Sequence, residues 1–486
     1  MPIKVFSSAK PQAPEVDGKY WLALAQEYLA NEKFPNALNA LQQAEALLPF
    51  DPQVYRLQAL ALNASGQEAE ALAAGMAVTA LEENSAVALF NIGTAYFMNR
   101  HWQPAAKWYR RSLALDADLV SANQNLAAIL YMEGHWAEAD KHYERAYRIQ
   151  SLFIDQAEVP IRNILILCSA RPGNVPFEHL LPQSKNTRIK WIIEYSPEQI
   201  LPPYDLVFNA IGDADVASCS RAIVDSFLAC IDRPVLNPPQ QVALTTRDRI
   251  SALLGGIEGI HIPAVARWHR QQADAPNAIH TQIAAESLTY PVIVRPIGGH
   301  GGDGVVLLQS PQDETPIPYA DGAYLTSYRD YQSADGYYRK YRVIFVDRKP
   351  YPYHLAISSN WLVHYDTADM LNPAWKIREE AWFLSDPIGV LGQAAWKALE
   401  AIAQRLDLDY AGIDFSVLPD RQLLVFETNA TMLVHPETYH DALKFKNHYV
   451  LNILDAFDQM LDRRIGIGAW EPPASILSPA DTLPLR

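Results

Sequence analysis

Cysteine is scarce in this chain: Cys168, Cys219 and Cys230 are scattered through 486 positions. An odd set without paired spacing excludes a disulfide framework and a zinc site. Reduced thiols packed as small apolar groups are expected instead. No run of about 18 apolar residues occurs, so no transmembrane helix is expected. The opening MPIKVFSSAKPQAPEVDGK has no apolar segment of signal-peptide length, and a cytoplasmic location follows as the expectation. Basic charge is also short, with 40 Lys and Arg against 55 Asp and Glu and a formal net charge of -15. A nucleic-acid surface needs clustered cations and is not expected, although a local basic pocket for a nucleotide is compatible with that balance. No GxxxxGK[ST] loop is present, and no GxGxxG opens a helix after a strand, so neither of those nucleotide folds is supported.

What the chain does have is apolar material, 49% of its residues. Its length predicts about three domains. The first third repeats itself. His101 and His135, Trp102 and Trp136, and Tyr109 and Tyr143 each lie 34 residues apart. The same period aligns small residues: Ala25, Ala59, Gly93 and Ala127; then Ala37, Ala71, Ala105 and Ala139; then Ala44, Val78, Ser112 and Ala146. Antiparallel helices approach closely where facing side chains are small. Four helix-turn-helix units stacked side by side are therefore predicted over residues 17–152. The segment resembles the tetratricopeptide repeat family. It departs from it in having only Pro49 as a repeat-ending proline, and Gly75 where later copies have Tyr109 and Tyr143. The resemblance implies an all-α superhelix whose concave face binds a peptide or protein. Asn91 and Asn125 are candidates for bonding a peptide backbone; an ordinary interhelical bond is the alternative.

Around residue 160 the pattern changes. IRNILILCSA, WIIEYS and DLVFNAIG read as strands, SCSRAIVDSFLACI as a helix and RPVLNPPQQ as a closing strand and turn. Alternating strands and helices predict a small parallel α/β domain over 160–240. A second domain is expected over 241–465, and an extended Pro-rich tail over 466–486. Within the second domain, YPVIVRPIGGHGGDGVVLLQ places two apolar strands around Gly298, Gly299, Gly301, Gly302 and Gly304. A loop this rich in glycine packs no core. It can bring backbone N–H groups to a polyanion, and it can move. Downstream, LDLDYAGIDFSVLPDRQLLVFETNATM reads as two antiparallel strands turning at Pro419 and Asp420. Asp414 lies on the first strand. Glu427 and Asn429 lie two apart on the second, on one face. Two carboxylates and an amide oxygen in apolar strands are hard oxygen donors of the kind magnesium takes.

Together these motifs resemble the ATP-grasp superfamily over about residues 160–465, and within it the bacterial glutathione synthetases. RPIGGHGGDGVV is similar to that group's lid, and KYRVIFVDRKPYPYHLAIS to its strand-turn-strand with a substrate or phosphate arginine. The resemblance implies a multidomain protein: a tetratricopeptide superhelix followed by an α/β (α+β) ATP-grasp fold. Its cofactors would be ATP and Mg2+, and its reaction ligation of a carboxylate to an amine through an acyl phosphate. It also implies site residues. Arg295 and Arg249 stand where the family's phosphate lysines lie, Arg342 at its anionic-substrate arginine, and Asp414, Glu427 and Asn429 at its magnesium ligands. Adenine would meet Tyr324, Leu325, Thr326 and Ser327. Ile357 replaces a second arginine of the glutathione enzymes, which argues against the glutathione reaction itself. His300 in the lid is a candidate catalytic contact; His354, His364 and Tyr365 are candidates for the substrate, a small amino acid or amine or part of a polypeptide. Arg378, Glu379 and Glu380 in KIREEAW are expected on a solvated helix start. Two alternatives remain: an interaction scaffold with a degenerate nucleotide site, and a phosphotransferase on the same fold.

Overall fold

The computed structural model describes residues 17–196, 198–269, 278–298, 302, 304–317 and 322–466. The chain divides into two compact units, Met1–Gln150 and Ser151–Arg486.

The first unit holds eight described helices: α1 (Gly18–Ala30), α2 (Phe34–Leu47), α3 (Pro52–Ala64), α4 (Glu68–Glu82), α5 (Ala86–Met98), α6 (Trp102–Leu115), α7 (Val120–Met132) and α8 (Trp136–Ile149). The odd-numbered helices begin 34 residues apart, and so do the even-numbered ones. Each helix packs on the next along the chain. Asp17, Asp51 and Ser85 start three of them by accepting a backbone N–H from Tyr20, Gln53 and Ala88, which satisfies donors that a helix start leaves open. The small residues sit where helices touch. Ala25, Ala37, Ala44, Ala105, Ala127, Ala139 and Ala146 are fully buried. A Cβ on Gly93 would fall 2.8 Å from the Tyr109 ring, so glycine there lets α5 and α6 close on that side chain. The second copy is looser: Ala59 and Ala71 are only half-buried, and nothing lies within 4 Å of a Cβ built on Gly75. The Asn125 amide donates to the Tyr109 hydroxyl at 2.9 Å, an interhelical bond between α7 and α6.

The second unit is built on three sheets. β1 (Leu152–Asp155), β2 (Arg162–Cys168), β3 (Asn186–Ile192), β4 (Leu206–Asn209) and β5 (Val235–Leu236) form the first, in the order β1-β3-β2-β4-β5. β2 to β5 pair in parallel, as the alternation with α9 (Ala214–Leu228) predicts. β1 is the difference. It pairs antiparallel with β3, so Leu152–Asp155, just ahead of the α/β domain expected from residue 160, cover an edge of this sheet. Cys168 is buried here, and burial pushes its thiol up to about 12. Cys168, Cys219 and Cys230 are all free thiols.

Next come α10 (Pro239–Val242), α11 (Arg247–Leu254), β6 (Ile260–His261), β7 (Val265–Trp268), α12 (Ala278–Ala285), β8 (Val292–Pro296), β9 (Val306–Leu308) and β10 (Ala323–Ser327). β7, β10, β8 and β9 make an antiparallel sheet in that order. The glycine loop joins β8 to β9. The third sheet orders β12 (Lys349–Ser358), β11 (Tyr338–Val346), β13 (Tyr410–Val417), β14 (Leu423–Asn429) and β6. β11 and β12 turn through Asp347 and Arg348, both with positive φ, the two-residue form that suits strand twist. Between β12 and β13 run α13 (Trp375–Ser385), α14 (Pro387–Leu391) and α15 (Gln393–Leu406); a 3-10 turn Asp441–Lys446 and α16 (Asn447–Ile465) follow β14. Glu380 on α13 corrects the solvated reading of KIREEAW, since it is wholly buried. Among the described residues no helix is long and apolar enough to cross a membrane. The tail beyond Gly466 lies outside the described residues.

Candidate functional site

The third sheet sets polar side chains in one line across four strands. His354 on β12 faces Arg342 on β11, Arg342 faces Asp414 on β13, and Asp414 faces Glu427 on β14. Directly opposed residues share a face, so register alone aligns them. Arg342 grips Asp414 at both ends, Nε to Oδ1 at 2.6 Å and Nη2 to Oδ2 at 2.8 Å. Lys340 Nζ adds an ion pair at 3.3 Å. Burial alone would raise the Asp414 pKa, but Arg342 and Lys340 outweigh it and hold the carboxyl far below the usual range. Glu427 is paired with Arg247, on α11. Asn429 follows two residues on, and its Oδ1 accepts from the Thr431 N–H and hydroxyl, each at 3.0 Å.

This row opens onto a cavity of about 960 Å³. Arg247, Arg295, Lys340, Arg342, Asp414, Glu427 and Asn429 all line it. Thr326 and Ser327 line it from β10, and Gly302 from the glycine loop. Gly302 has φ +83, and a Cβ there would lie 2.5 Å from His364 Nε2, so only glycine lets the loop lie against that imidazole. His354, His364, Tyr365 and Lys446 complete the wall. Burial, then Arg342 and Lys446, push the His354 pKa well down. Burial, then Lys340 and Arg295, lower that of His364.

Most of the residues singled out from the sequence therefore border one space, with some corrections. Arg249 does not reach it. It bonds the Ala243 carbonyl at 3.0 Å and lines a smaller depression of about 450 Å³. Two residues turn an α-helix by roughly 200°, so Arg247 faces the cavity and Arg249 faces away. Tyr324 and Leu325 are also absent from the wall. The Tyr324 hydroxyl donates to Asp215 at 2.7 Å, and Leu325 is buried in the core between the second sheet and α12. Gly298 and Gly304 have positive φ but do not line the cavity. Gly299, His300 and Gly301 lie outside the described residues. Arg247, Lys340 and Lys446 were missed by the sequence reading. Lys340 had a signal, being two residues before Arg342 and so on its face of the strand. Among the described residues no cluster of three or more His, Cys, Asp or Glu forms a metal-binding group; the third oxygen beside Asp414 and Glu427 is an amide.

No protein-family profile matches the sequence, and the comparison with curated proteins found no match. The solved structures that the chain partly resembles include ATP-grasp ligases. One is D-alanine–D-alanine ligase from Bacillus anthracis complexed with ATP, 15% identical, covering 63% of this chain and 99% of that one with a TM-score of 0.36. Another is a RimK domain ATP-grasp protein from Sphaerobacter thermophilus, 15% identical over 61% of this chain and 98% of that one, TM-score 0.36. A third is the ATP-grasp ligase PsnB complexed with its precursor peptide PsnA2 and AMPPNP, 14% identical over 59% and 97%, TM-score 0.33. Likeness at this level assigns neither an activity nor a ligand to this chain.

Proposed function

We propose that the second unit is an ATP- and magnesium-dependent carboxylate–amine ligase of the ATP-grasp kind, and that the first is a tetratricopeptide superhelix that recruits a peptide or protein substrate. The observation that carries the reading is the row His354, Arg342, Asp414, Glu427 along one cavity, with Arg247, Arg295 and Lys340 beside it. The donor set suits a divalent cation. Asp414, Glu427 and Asn429 offer hard oxygens, and Asp414 stays ionised against its burial. Magnesium bound there would neutralise charge on a transferring phosphoryl group.

The chain's own residues have separable roles. Arg295, at the end of β8, holds nucleotide phosphates under the glycine loop. Arg342 orients Asp414 and neutralises the acyl phosphate formed from the substrate carboxylate. Lys340 adds a second fixed positive charge. The loop, lying against His364 at Gly302, keeps water from the activated acid until the amine attacks and phosphate leaves. No protein nucleophile takes part.

The test is Mg-ATP binding by calorimetry together with ADP release in a pool of acids and amines. Glu427→Gln and Asp414→Asn are each expected to remove nearly all turnover while the circular dichroism spectrum stays unchanged. Undiminished turnover in the double variant sinks the assignment. A second reading has one observation in its favour: both carboxylates are already held by guanidinium groups, as in a degenerate site kept for structure. On that reading the chain is an interaction scaffold and binds no nucleotide at millimolar concentration. A phosphotransferase differs in yielding a stable phosphorylated product rather than phosphate.

A further inference from the structure

Charge is spread unevenly over the first unit. α5 and α7 contain no Lys, Arg, Asp or Glu. The helices that alternate with them are charged: α6 carries Lys107, Arg110 and Arg111, and the last half of α8 carries Glu144, Arg145 and Arg148. Burial does not account for the difference. On α5, Val87 is 56% exposed, Met98 is 75% exposed and Asn91 is exposed between them. On α7, Met132 is 53% exposed.

Val87, Asn91, Thr94 and Met98 recur at helical spacing and so form one stripe along α5. Moving each by the 34-residue period gives Ser121, Asn125, Ala128 and Met132, the matching stripe on α7. The two stripes meet over a common floor. The Tyr109 hydroxyl, on α6, donates to Thr94 Oγ1 at 3.3 Å and accepts from Asn125 Nδ2 at 2.9 Å. Its ring packs on half-buried Phe90 and Phe97, with centroids 5.7 and 6.4 Å apart.

A helix face left to water ordinarily carries charge. Contiguous exposed apolar side chains instead mark a surface that something covers. Composition says what. With no fixed charge to answer it, a charged segment docked here would lose its hydration without compensation. Met98 and Met132 are flexible and fit varied apolar shapes. Asn91 offers amide donors and an acceptor, which match a peptide backbone and have no use for a lipid tail. From Val87 to Met98 the stripe runs roughly 16 Å, the reach of about five extended residues. We infer that the α5–α7 face docks a short, uncharged, apolar stretch of polypeptide and selects against acidic and basic segments, charged chain ends included. This deepens, and rests on, the reading of the first unit as a recruiter of polypeptide.

The probe is a random peptide library displayed on phage and selected on the immobilised full chain. Enriched peptides are expected to contain a run free of Asp, Glu, Lys and Arg. The most enriched one, made with a fluorescein label, should bind the double variant Met98→Lys with Met132→Lys at least about tenfold more weakly by anisotropy, since each ammonium would be covered without a partner. Replacing one residue of its run by Asp should weaken binding to the wild type and recover part of it for the Lys variant, a reversal that an unfolded variant does not show. Three results overturn the proposal: enriched peptides that are charged, equal affinity in the double variant, or a full-chain dimer in light scattering that the double variant splits, which would give the face to a second copy. Peptides that bind but ignore both substitutions leave recruitment standing and remove this face. No enrichment over a bare support removes the recruitment reading as well.

Discussion

His354 sets a pH dependence on the second unit. Its pKa in the folded chain is depressed by burial, by Arg342 and by Lys446. The unfolded chain therefore binds more protons than the folded one once pH drops below the ordinary histidine value of about 6.5. Stability is fully present above that value and falls as pH is lowered through it, by at most about 1.4 kcal/mol per pH unit for each such group. His364 and, in the first unit, His142 are lowered in the same direction. Denaturant unfolding between pH 7 and pH 5 is expected to show this loss, and His354→Gln to make the slope shallower by about one group's share. An unchanged slope in that variant would mean that the ring charges in the folded state. Legibility at this scale depended on the flanking residues. Asp414 was readable because Ile413 and Phe415 bracket it. Glu380 was not, because its partner Lys446 lies far along the chain and KIREEAW by itself looks like any solvated helix.

Among the elements, α11 divides the site from the surface. Arg247 opens that helix and reaches Glu427 on β14, while Arg249 bonds the carbonyl of Ala243. Arg247→Ala leaves the Glu427 carboxylate half-buried without its partner and removes a cation from the cavity. It is expected to alter Mg-ATP affinity, and salt should alter that effect little because the pair is largely shielded. Arg249→Ala should stay within about twofold of wild type, as exposed single charges usually do. Calorimetry on the two variants decides it; a larger effect from Arg249 would restore the assignment that family resemblance suggested. The strands were legible because each apolar run ended in a turn, and the Pro419–Asp420 turn marked β13 and β14 as an antiparallel pair; their register was not legible, because a bulge between Asp414 and Phe415 shifts it. The phase of a short helix such as α11 was not. With two arginines in TTRDRIS, only packing against β14 selects which one turns inward.

At the scale of the whole molecule, the 34-residue period made the helical unit readable, because close helix packing imposes the same small residues at every repeat. Its end was harder to place. α8 stops at Ile149, and β1 begins three residues later and hydrogen-bonds along β3 from Leu152 to Asp155. A four-residue edge strand carries too short a pattern to stand out against the end of a helix. The distinction has a consequence. Arg188 and Lys190 on β3 both pair with Asp155, at 2.9 and 3.1 Å. Cutting the chain at residue 160, where the sequence pattern changes, removes β1 and this carboxylate and bares the β3 edge, which becomes open to pairing between copies. A chain beginning at Ser151 keeps the sheet whole. The shorter piece is expected to melt at a lower temperature and to aggregate more readily than the 151–466 piece, which should bind Mg-ATP as the full chain does. Equal melting temperatures for the two pieces would show that β1 contributes nothing to the sheet it borders, and the boundary would return to residue 160.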